Sequence, residues 1–339
     1  MKHFWNLIFI LFIFPVFLFG QIDNAKNLKE TATEMMKAGE WDKAVIALNR
    51  AIVLDASNFE LQKNLLQCLY YKRDFEKAVE LIKTITEKPE ADVMTFQLAA
   101  NVYKALEEKK EAENIFRMGL KKFPKSGPLY SEFGELLWSN KELAAIEFWE
   151  KGIETDPTFS SNYYHAANFY LSTKDKVWTL IYGEIFVNME SLSNRGATMK
   201  ATLLKCYKEQ IFAEIDLFKE MENEKNLFAK TFLQNLSKQT AQLAKGETIE
   251  TLTMIRTRFI LDWFTSSAAK FPFRLFDYHQ QLLKEGLFEA YNQWIFGAID
   301  NLSAFENWTK IHAEEYNRFT SFMKNRIFKM QPGQYYKNK

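Results

Sequence analysis

The sequence is poor in the residues that make tight turns and disulfide frameworks. Only 12 glycines and 7 prolines occur among 339 residues, which disfavours an all-β fold with many turns and favours long helices. The only two cysteines, Cys68 and Cys206, lie in different parts of the chain, so we expect buried thiols and no disulfide framework. Hydrophobic residues (47%) and charged residues (26%) are balanced as in a folded globular protein.

The chain also lacks an excess of charge of either sign. It has 44 basic and 43 acidic side chains, a formal net charge of +1. Nothing in this balance supplies the basic field that binds a phosphate backbone, so we expect no nucleic acid partner. A neutral or mixed-charge ligand is favoured over a strongly acidic one.

The N-terminal segment has the layout of a secretory signal. Lys2 and His3 precede a nearly continuous apolar run over residues 4–19, and Gly20 lies just before the polar sequence begins. This pattern predicts a signal peptide over residues 1–20 and export to the periplasm or envelope of a Gram-negative bacterium, with no stable membrane insertion after cleavage. The alternative is an uncleaved N-terminal membrane anchor.

The chain contains an internal repeat with a constant period. Ala44, Ala78 and Ala112 are equally spaced, and a similar phrase precedes each, for example Glu40-Trp41-Asp42-Lys43 and Asp74-Phe75-Glu76-Lys77. A period of about 34 residues is typical of stacked helix pairs, since one pair cannot bury its own apolar face. The spacing and the phrase resemble the tetratricopeptide repeat (TPR) family, as in exported TPR proteins of Gram-negative bacteria.

The resemblance implies an all-α, right-handed helical solenoid of four to five helix pairs over residues 21–195. The repeats begin near Ala25, Phe59, Val93, Gly127 and Ser160. In the fourth repeat the turn between the helices is one residue short, so Ala145 comes one position earlier than the period requires, and Gly134 occupies a glycine position of the family. The second helix of the fifth unit, residues 176–188, is apolar nearly all round, which predicts burial on every side and a joint with the C-terminal half.

From residue 196 to residue 330 the period is lost but helical spacing continues. We expect a helical C-terminal domain with helices over residues 198–221, 224–244, 248–266, 273–284, 287–296 and 303–328. Ser303 and Glu306 predict a capping box at the start of the last helix. Residues 331–339 are expected to form a flexible tail.

The resemblance also implies a binding groove. TPR ligands lie along the first helix of each pair, on the concave face. Carried onto this chain, that face predicts a partner-binding groove of Lys29, Lys63, Gln67, Tyr70, Tyr71, Gln97, Asn101, Lys104, Glu135, Trp138, Tyr164 and Asn168. Some members clamp a carboxylate with lysine and asparagine, but Thr33 and Gln67 replace asparagine here. The alternative is that these residues only solvate the surface.

Catalytic and metal-binding patterns are not found. The sequence has no nucleophile elbow, zinc-binding helix, phosphate loop or paired C-x-x-C. His165, His279 and His312 have no second ligand at metal spacing. We therefore expect no catalytic residue, metal or cofactor.

The sequence thus predicts a non-enzymatic scaffold that binds a peptide or protein segment in the groove. The alternative is a small-molecule-binding or enzymatic C-terminal domain with the repeats as its docking arm. Its pocket would be lined by five residues: Trp263, Tyr278, His279, Tyr291 and Trp294.

Overall fold

The computed structural model describes residues 24–209, 217–239, 246, 248–324 and 326–337. Every regular element in these residues is a helix, so the predicted all-α class is confirmed. None of these helices combines the length and apolarity that a membrane crossing requires. The predicted signal peptide, residues 1–20, lies outside the described residues. The chain divides into two compact units, one up to Ala91 and one from Asp92 onward.

The first unit consists of two helix pairs. Asn24 and Asn58 cap the first helix of each pair by accepting a hydrogen bond from a backbone N–H three residues later. Successive helices pack against one another, and Ala44, Ala51 and Ala78 are fully buried. The four helices are α1 (Ala25–Lys37), α2 (Trp41–Leu54), α3 (Phe59–Lys72) and α4 (Phe75–Ile85).

The turns inside the first four helix pairs each contain a left-handed residue at the same place in the period. Gly39, Arg73, Glu107 and Lys141 have φ values of 74°, 65°, 60° and 62°, and they are equally spaced along the chain. This conformation costs an L-residue free energy, and only the first position has glycine. Because Lys141 keeps the period, the predicted shortening in the fourth repeat falls between Lys141 and the fully buried Ala145.

The second unit begins with three further helix pairs. Asp92 and Thr95 form a capping box at the first of them, and Ser126 caps the next. The six helices are α5 (Val93–Ala105), α6 (Lys109–Lys122), α7 (Gly127–Ser139), α8 (Ala145–Thr155), α9 (Ser160–Leu171) and α10 (Lys176–Met189).

Close approach of α7 and α8 explains the glycine at position 134. A Cβ atom on Gly134 would lie 2.3 Å from Trp149 Nε1, whose N–H donates to the Ser131 carbonyl at 3.1 Å. The fully buried Trp149 ring therefore fills the space that a side chain would need.

Helix α10 is buried on all sides, as predicted. Every residue from 177 to 188 is buried. The helix packs against α9 and also against the helices that follow it. The predicted boundary after residue 195 lies inside the second compact unit.

The C-terminal half is helical but more divided than expected. Helix α14 is capped by Thr248 and ends at Ser266, close to the prediction. The last predicted helix is wrong in two respects: Asn301 is its N-cap instead of Ser303, and His312 separates two helices. The helices are α11 (Asn194–Lys205), α12 (Leu217–Asn223), α13 (Leu227–Ser237), α14 (Ile249–Ser266), α15 (Arg274–Lys284), α16 (Phe288–Asn292), a π-helical turn (Gln293–Gly297), α17 (Ala298–Asp300), α18 (Leu302–Ile311) and α19 (Ala313–Lys324).

Residues 326–337 have no regular secondary structure but are packed. Phe328, Met330, Tyr335 and Tyr336 are buried. The packing of residues 331–337 differs from the flexible tail that the sequence predicts there. The reason is that aromatic side chains of this segment pack against apolar residues of the helices. Cys68 and Cys206 are both free and buried, as expected.

Candidate functional site

The first helices of the three pairs in the second unit form one surface, here called the first-helix face. Helix α7 packs between α5 and α9 in this layer. The predicted groove residues Gln97, Asn101 and Lys104 lie on α5, Glu135 and Trp138 on α7, and Tyr164 and Asn168 on α9. All seven side chains are at least partly accessible to solvent.

On α5, two of these side chains are free to meet a partner. Neither the Asn101 amide nor the Lys104 ammonium has a hydrogen-bond or ion-pair partner among the described residues. Gln97 differs, because its amide donates to Glu132 of α7. Burial raises the pKa of the Glu132 carboxyl, against the opposing effects of this hydrogen bond and of the Lys104 charge.

An acid–histidine contact joins α7 to α9 on the same face. His165 Nε2 lies 2.6 Å from Glu135 Oε1. Desolvation acts to raise the pKa of the Glu135 carboxyl, but the contact with His165 and the charges of Lys104 and Arg195 lower it overall. Glu135 is therefore an ionised acceptor near the middle of the face.

An aromatic surface lies beside this contact. The Trp138 side chain is 44% exposed, and its ring meets Phe169 at 5.6 Å and the buried Trp149 at 6.2 Å, both edge to face. The Trp149 ring in turn stacks on His165 at 5.2 Å. Trp138 is thus held by neighbouring rings while much of its surface faces solvent, which suits an anchor for a partner side chain.

Beyond α9 the face ends at a charged contact. The Arg195 guanidinium donates to Glu190 at 2.7 Å and to Ser161 at 3.2 Å. It also lies 5.1 Å from the centre of the Tyr164 ring. The Asn168 amide donates to the Tyr164 carbonyl, so one of its two N–H groups is already used within the helix.

The first unit has a smaller surface of the same kind on α1 and α3. Lys29, Lys63, Gln67 and Tyr70 are partly exposed and Tyr71 is 50% exposed. The Tyr71 ring stacks on Trp41 at 4.7 Å, and Lys63 pairs with Glu60 at 3.2 Å.

Glu132, His165 and Arg195 were not among the predicted groove residues. Each contacts a predicted residue, yet none occupies one of the positions that the family resemblance points to. The sequence signal that would have found His165 is its adjacency in the chain to Tyr164, since a side chain next to a groove position can still reach the edge of the groove.

The five residues of the alternative C-terminal pocket do not surround a ligand-sized space. Trp263, Tyr278, His279 and Tyr291 are buried and Trp294 is half-buried. The cavity beside His279 has a volume of about 20 Å³, which is enough for about one water molecule. Among these five residues only His279 lines that cavity.

His279 belongs instead to a buried polar cluster centred on Glu184 of α10. Glu184 Oε1 accepts from Tyr291 at 2.8 Å, lies 3.0 Å from His279 Nε2 and pairs with Arg256. The Arg256 guanidinium also donates to Asn292. One carboxylate therefore joins α10 to α14, α15 and α16.

The charges of this cluster are fixed by one another. Desolvation acts to raise the pKa of Glu184, but Arg256 and His279 lower it to about 2. Desolvation lowers the pKa of His279, partly opposed by Glu184. The pair of Glu184 and Arg256 is ionised at neutral pH, and the His279 ring is held neutral. Each of these groups therefore takes part in the packing of α10 against the C-terminal helices.

The described residues contain no group of three His, Cys, Asp or Glu side chains placed to hold a metal ion. No protein-family model matches the sequence, and no curated protein matches it.

Solved structures of similar architecture include three bacterial proteins. They are MamA of Desulfovibrio magneticus, a TPR protein of Thermus thermophilus and PilF of Pseudomonas aeruginosa. Their sequence identities are 15%, 15% and 14%, and their TM-scores are 0.41, 0.42 and 0.46. They cover 50%, 53% and 62% of this chain and 97%, 99% and 96% of their own. The likeness concerns helical architecture alone.

The first four helix pairs share a left-handed residue at the same place in each turn and buried small residues where their helices cross. The chain thus has TPR-like helix pairs in an all-α fold, as its sequence predicts.

Proposed function

We propose that this protein is a non-enzymatic scaffold that holds an extended segment of a protein partner against the first-helix face. The observation that supports this most directly is Trp138, 44% exposed between α5 and α9 and braced by Phe169 and Trp149. A rigid, exposed tryptophan offers a large contact area at small entropic cost, as at the energetic centres of protein interfaces.

The polar groups beside Trp138 suit a peptide backbone. The Asn101 amide offers both donors and an acceptor, and the Lys104 ammonium offers further donors. The ionised Glu135 can accept from a backbone N–H or a basic side chain. Because this face combines both signs of charge with an aromatic anchor, the proposed partner segment is neutral or mixed in charge.

The test replaces one polar residue and the aromatic anchor of the face, and compares this double variant with a matched pair of changes elsewhere. In the full chain, Asn101→Ala with Trp138→Ala should weaken partner capture from envelope extracts at least about tenfold, as loss of an interface anchor does. Asn114→Ala with Met118→Ala removes an exposed asparagine and an exposed apolar residue from α6, and should leave capture unchanged.

Both variants should keep the helical circular dichroism and unfolding midpoint of the wild type, since the changed side chains are accessible. Equal capture by the two double variants would show that the partner does not bind this face.

We further propose that the protein acts in the periplasm or cell envelope. The support is the sequence pattern of residues 1–20 described above. Sequencing of the N-terminus of the protein from its native host should find a start at or near Gln21. A retained Met1 in the membrane fraction would favour the anchored alternative.

A further inference from the structure

Residues 326–337 pack against the rest of the second unit at two places, which are joined by an exposed turn. Phe328 and Met330 form the first buried anchor and residues 335–337 the second. Between them Gln331, Pro332 and Gly333 are exposed, and Gly333 has a φ of 81°. The second anchor can therefore leave the surface by movement of the turn, without unfolding a helix.

The second anchor is held as an extended peptide ligand would be. The Asn226 amide, which caps α13, donates to the carbonyl oxygens of Tyr336 and Lys337 at 2.7 and 2.9 Å. The first backbone N–H of α15, at Arg274, donates to the Gln334 side chain at 2.7 Å. The two Asn226 contacts recognise the backbone of the segment, and the Arg274 contact recognises its Gln334 side chain.

An aromatic cleft receives the side chain of Tyr336. Its ring stacks on Phe228 with centroids 4.7 Å apart, and Phe271 closes one side at 5.6 Å. At the end of the cleft the Tyr336 hydroxyl donates to the Pro272 carbonyl at 2.8 Å. The cleft thus fits a flat aromatic residue with a polar tip.

The next residue enters a cage for a cation. Lys337 Nζ lies 2.7 Å from Asp175 Oδ2, and 5.1 and 5.3 Å from the ring centres of Tyr170 and Trp178. Glu220 and Glu224 line an adjoining cavity of about 180 Å³ together with Asp175. A carboxylate with two aromatic rings is a favourable environment for an ammonium group, and the further acids add to the attraction.

We propose that this surface is a peptide-binding site, separate from the first-helix face, for an extended segment with an aromatic residue followed by a lysine. Residues 334–337 occupy it as an intramolecular ligand, and a partner segment of the same chemistry displaces them. The backbone contacts, the aromatic cleft and the cation cage each recognise one part of such a segment. The helices around the site contact one another directly, for example through Trp178 and Phe228 at 5.9 Å, so the site persists when the segment leaves.

The first test uses a fluorescent synthetic nonapeptide with the sequence of residues 331–339 and the full-length protein. A tethered competitor acts at a concentration on the order of millimolar, so wild-type protein should bind the peptide weakly. Full-length Tyr336→Ala with Lys337→Ala should bind it at least about tenfold more tightly. The control, Lys329→Ala with Gln331→Ala, changes exposed residues of the same segment and should behave as wild type.

Two further measurements assign the binding to the cage. Adding Asp175→Asn to the double variant should weaken binding at least about tenfold, the effect of removing one partner of a charge pair. A peptide carrying the same two alanine changes should not bind. Equal affinity of wild type and double variant, or no effect of Asp175→Asn, would overturn the proposal.

A second experiment needs no change in the anchor itself and decides the matter if the double variant does not fold. A spin label on Gln331→Cys reports the mobility of the turn, since both native cysteines are buried. Excess nonapeptide should convert the label to a more mobile state, and the alanine peptide should not. An unchanged spectrum at saturating peptide would mean that the segment is a fixed part of the core.

Discussion

Arg73, Glu107 and Lys141 adopt a backbone conformation that their side chains do not favour. Each has φ near 60° in the turn between paired helices, where the first repeat has Gly39. An L-residue pays about 1–2 kcal/mol for this region, and glycine does not. The turns are therefore fixed by the packing of the helices, at a local cost in three of the four.

Replacing Glu107 by glycine should raise the stability of the second unit. The left-handed strain disappears, whereas the extra freedom of glycine in the unfolded chain offsets part of the gain, so we expect a net increase of about 0.5–1 kcal/mol. Urea unfolding followed by circular dichroism measures it.

Glu108→Gly is the matched control, because Glu108 is also exposed but has φ of −86°. This change should give no gain. A stability of Glu107→Gly at or below that of wild type would contradict the strain account.

At the scale of single residues, the sequence predicted well which positions are buried where two helices cross. Ala44, Ala78, Ala112 and Ala145 are all fully buried, because a small residue at a helix crossing leaves a clear periodic signal. The strained turn residues were not predicted, since Arg, Glu and Lys carry no sign of a positive φ. Only their spacing from Gly39 connects them.

Among the elements, α10 connects several helices of the C-terminal half. Its Glu184 carboxylate contacts groups on α14, α15 and α16, all of them buried. A buried ion pair adds little net stability over apolar residues of similar size, but an unpaired buried charge is costly.

Glu184→Met alone should therefore lower the free energy of unfolding by about 3–5 kcal/mol, because Arg256 would stay charged and lose its partner. Adding Arg256→Met should recover most of this loss. Chemical unfolding of wild type, single and double variants measures the coupling. A double variant no more stable than Glu184→Met would show that the cluster is not held by this pair.

The burial of α10 followed from its apolar sequence, but its partners did not. Arg256 and Tyr291 lie 72 and 107 residues after Glu184, and no local pattern joins such distant residues. A continuous helical pattern over residues 303–328 also concealed the break at His312, whose ring stacks on Trp308 at 4.5 Å.

For the groove residues, too, local sequence predicted exposure but not contacts between helices. Register alone placed Asn101, Lys104 and Trp138 at an accessible surface, whereas the contact of Glu135 with His165 depends on how α7 and α9 pack. Their role in binding remains a prediction.

For the molecule as a whole, the buried polar cluster around Glu184 should make the free energy of unfolding depend on pH. His279 has a lowered pKa in the folded state, so below about pH 6.5 the unfolded chain takes up a proton that the folded chain resists. Stability should be full above that pH and decline on acidification, by at most about 1.4 kcal/mol per pH unit from this residue. Glu184, with a folded pKa of about 2, adds a further loss as pH falls below its unfolded value.

Urea unfolding between pH 7.5 and 5.5 isolates the histidine contribution. His279→Gln should be less stable than wild type at pH 7.5 but should show a flatter decline over this interval. An equal decline in the two proteins would place the responsible group elsewhere.

The large sequence separation between Glu184 and its partners has a consequence for synthesis of the chain. Translation proceeds at about 5–20 residues per second, so α10 leaves the ribosome roughly 5–20 seconds before Tyr291 follows it. During that interval this helix, which is buried on every side in the finished fold, is covered only by the helices already made. The helix pairs before it are completed by residues close in the chain and need no such wait. The nascent chain thus carries an incompletely covered apolar helix until more than a hundred further residues have been made, and its Glu184 carboxylate lacks an ion-pair partner until Arg256 follows 72 residues later.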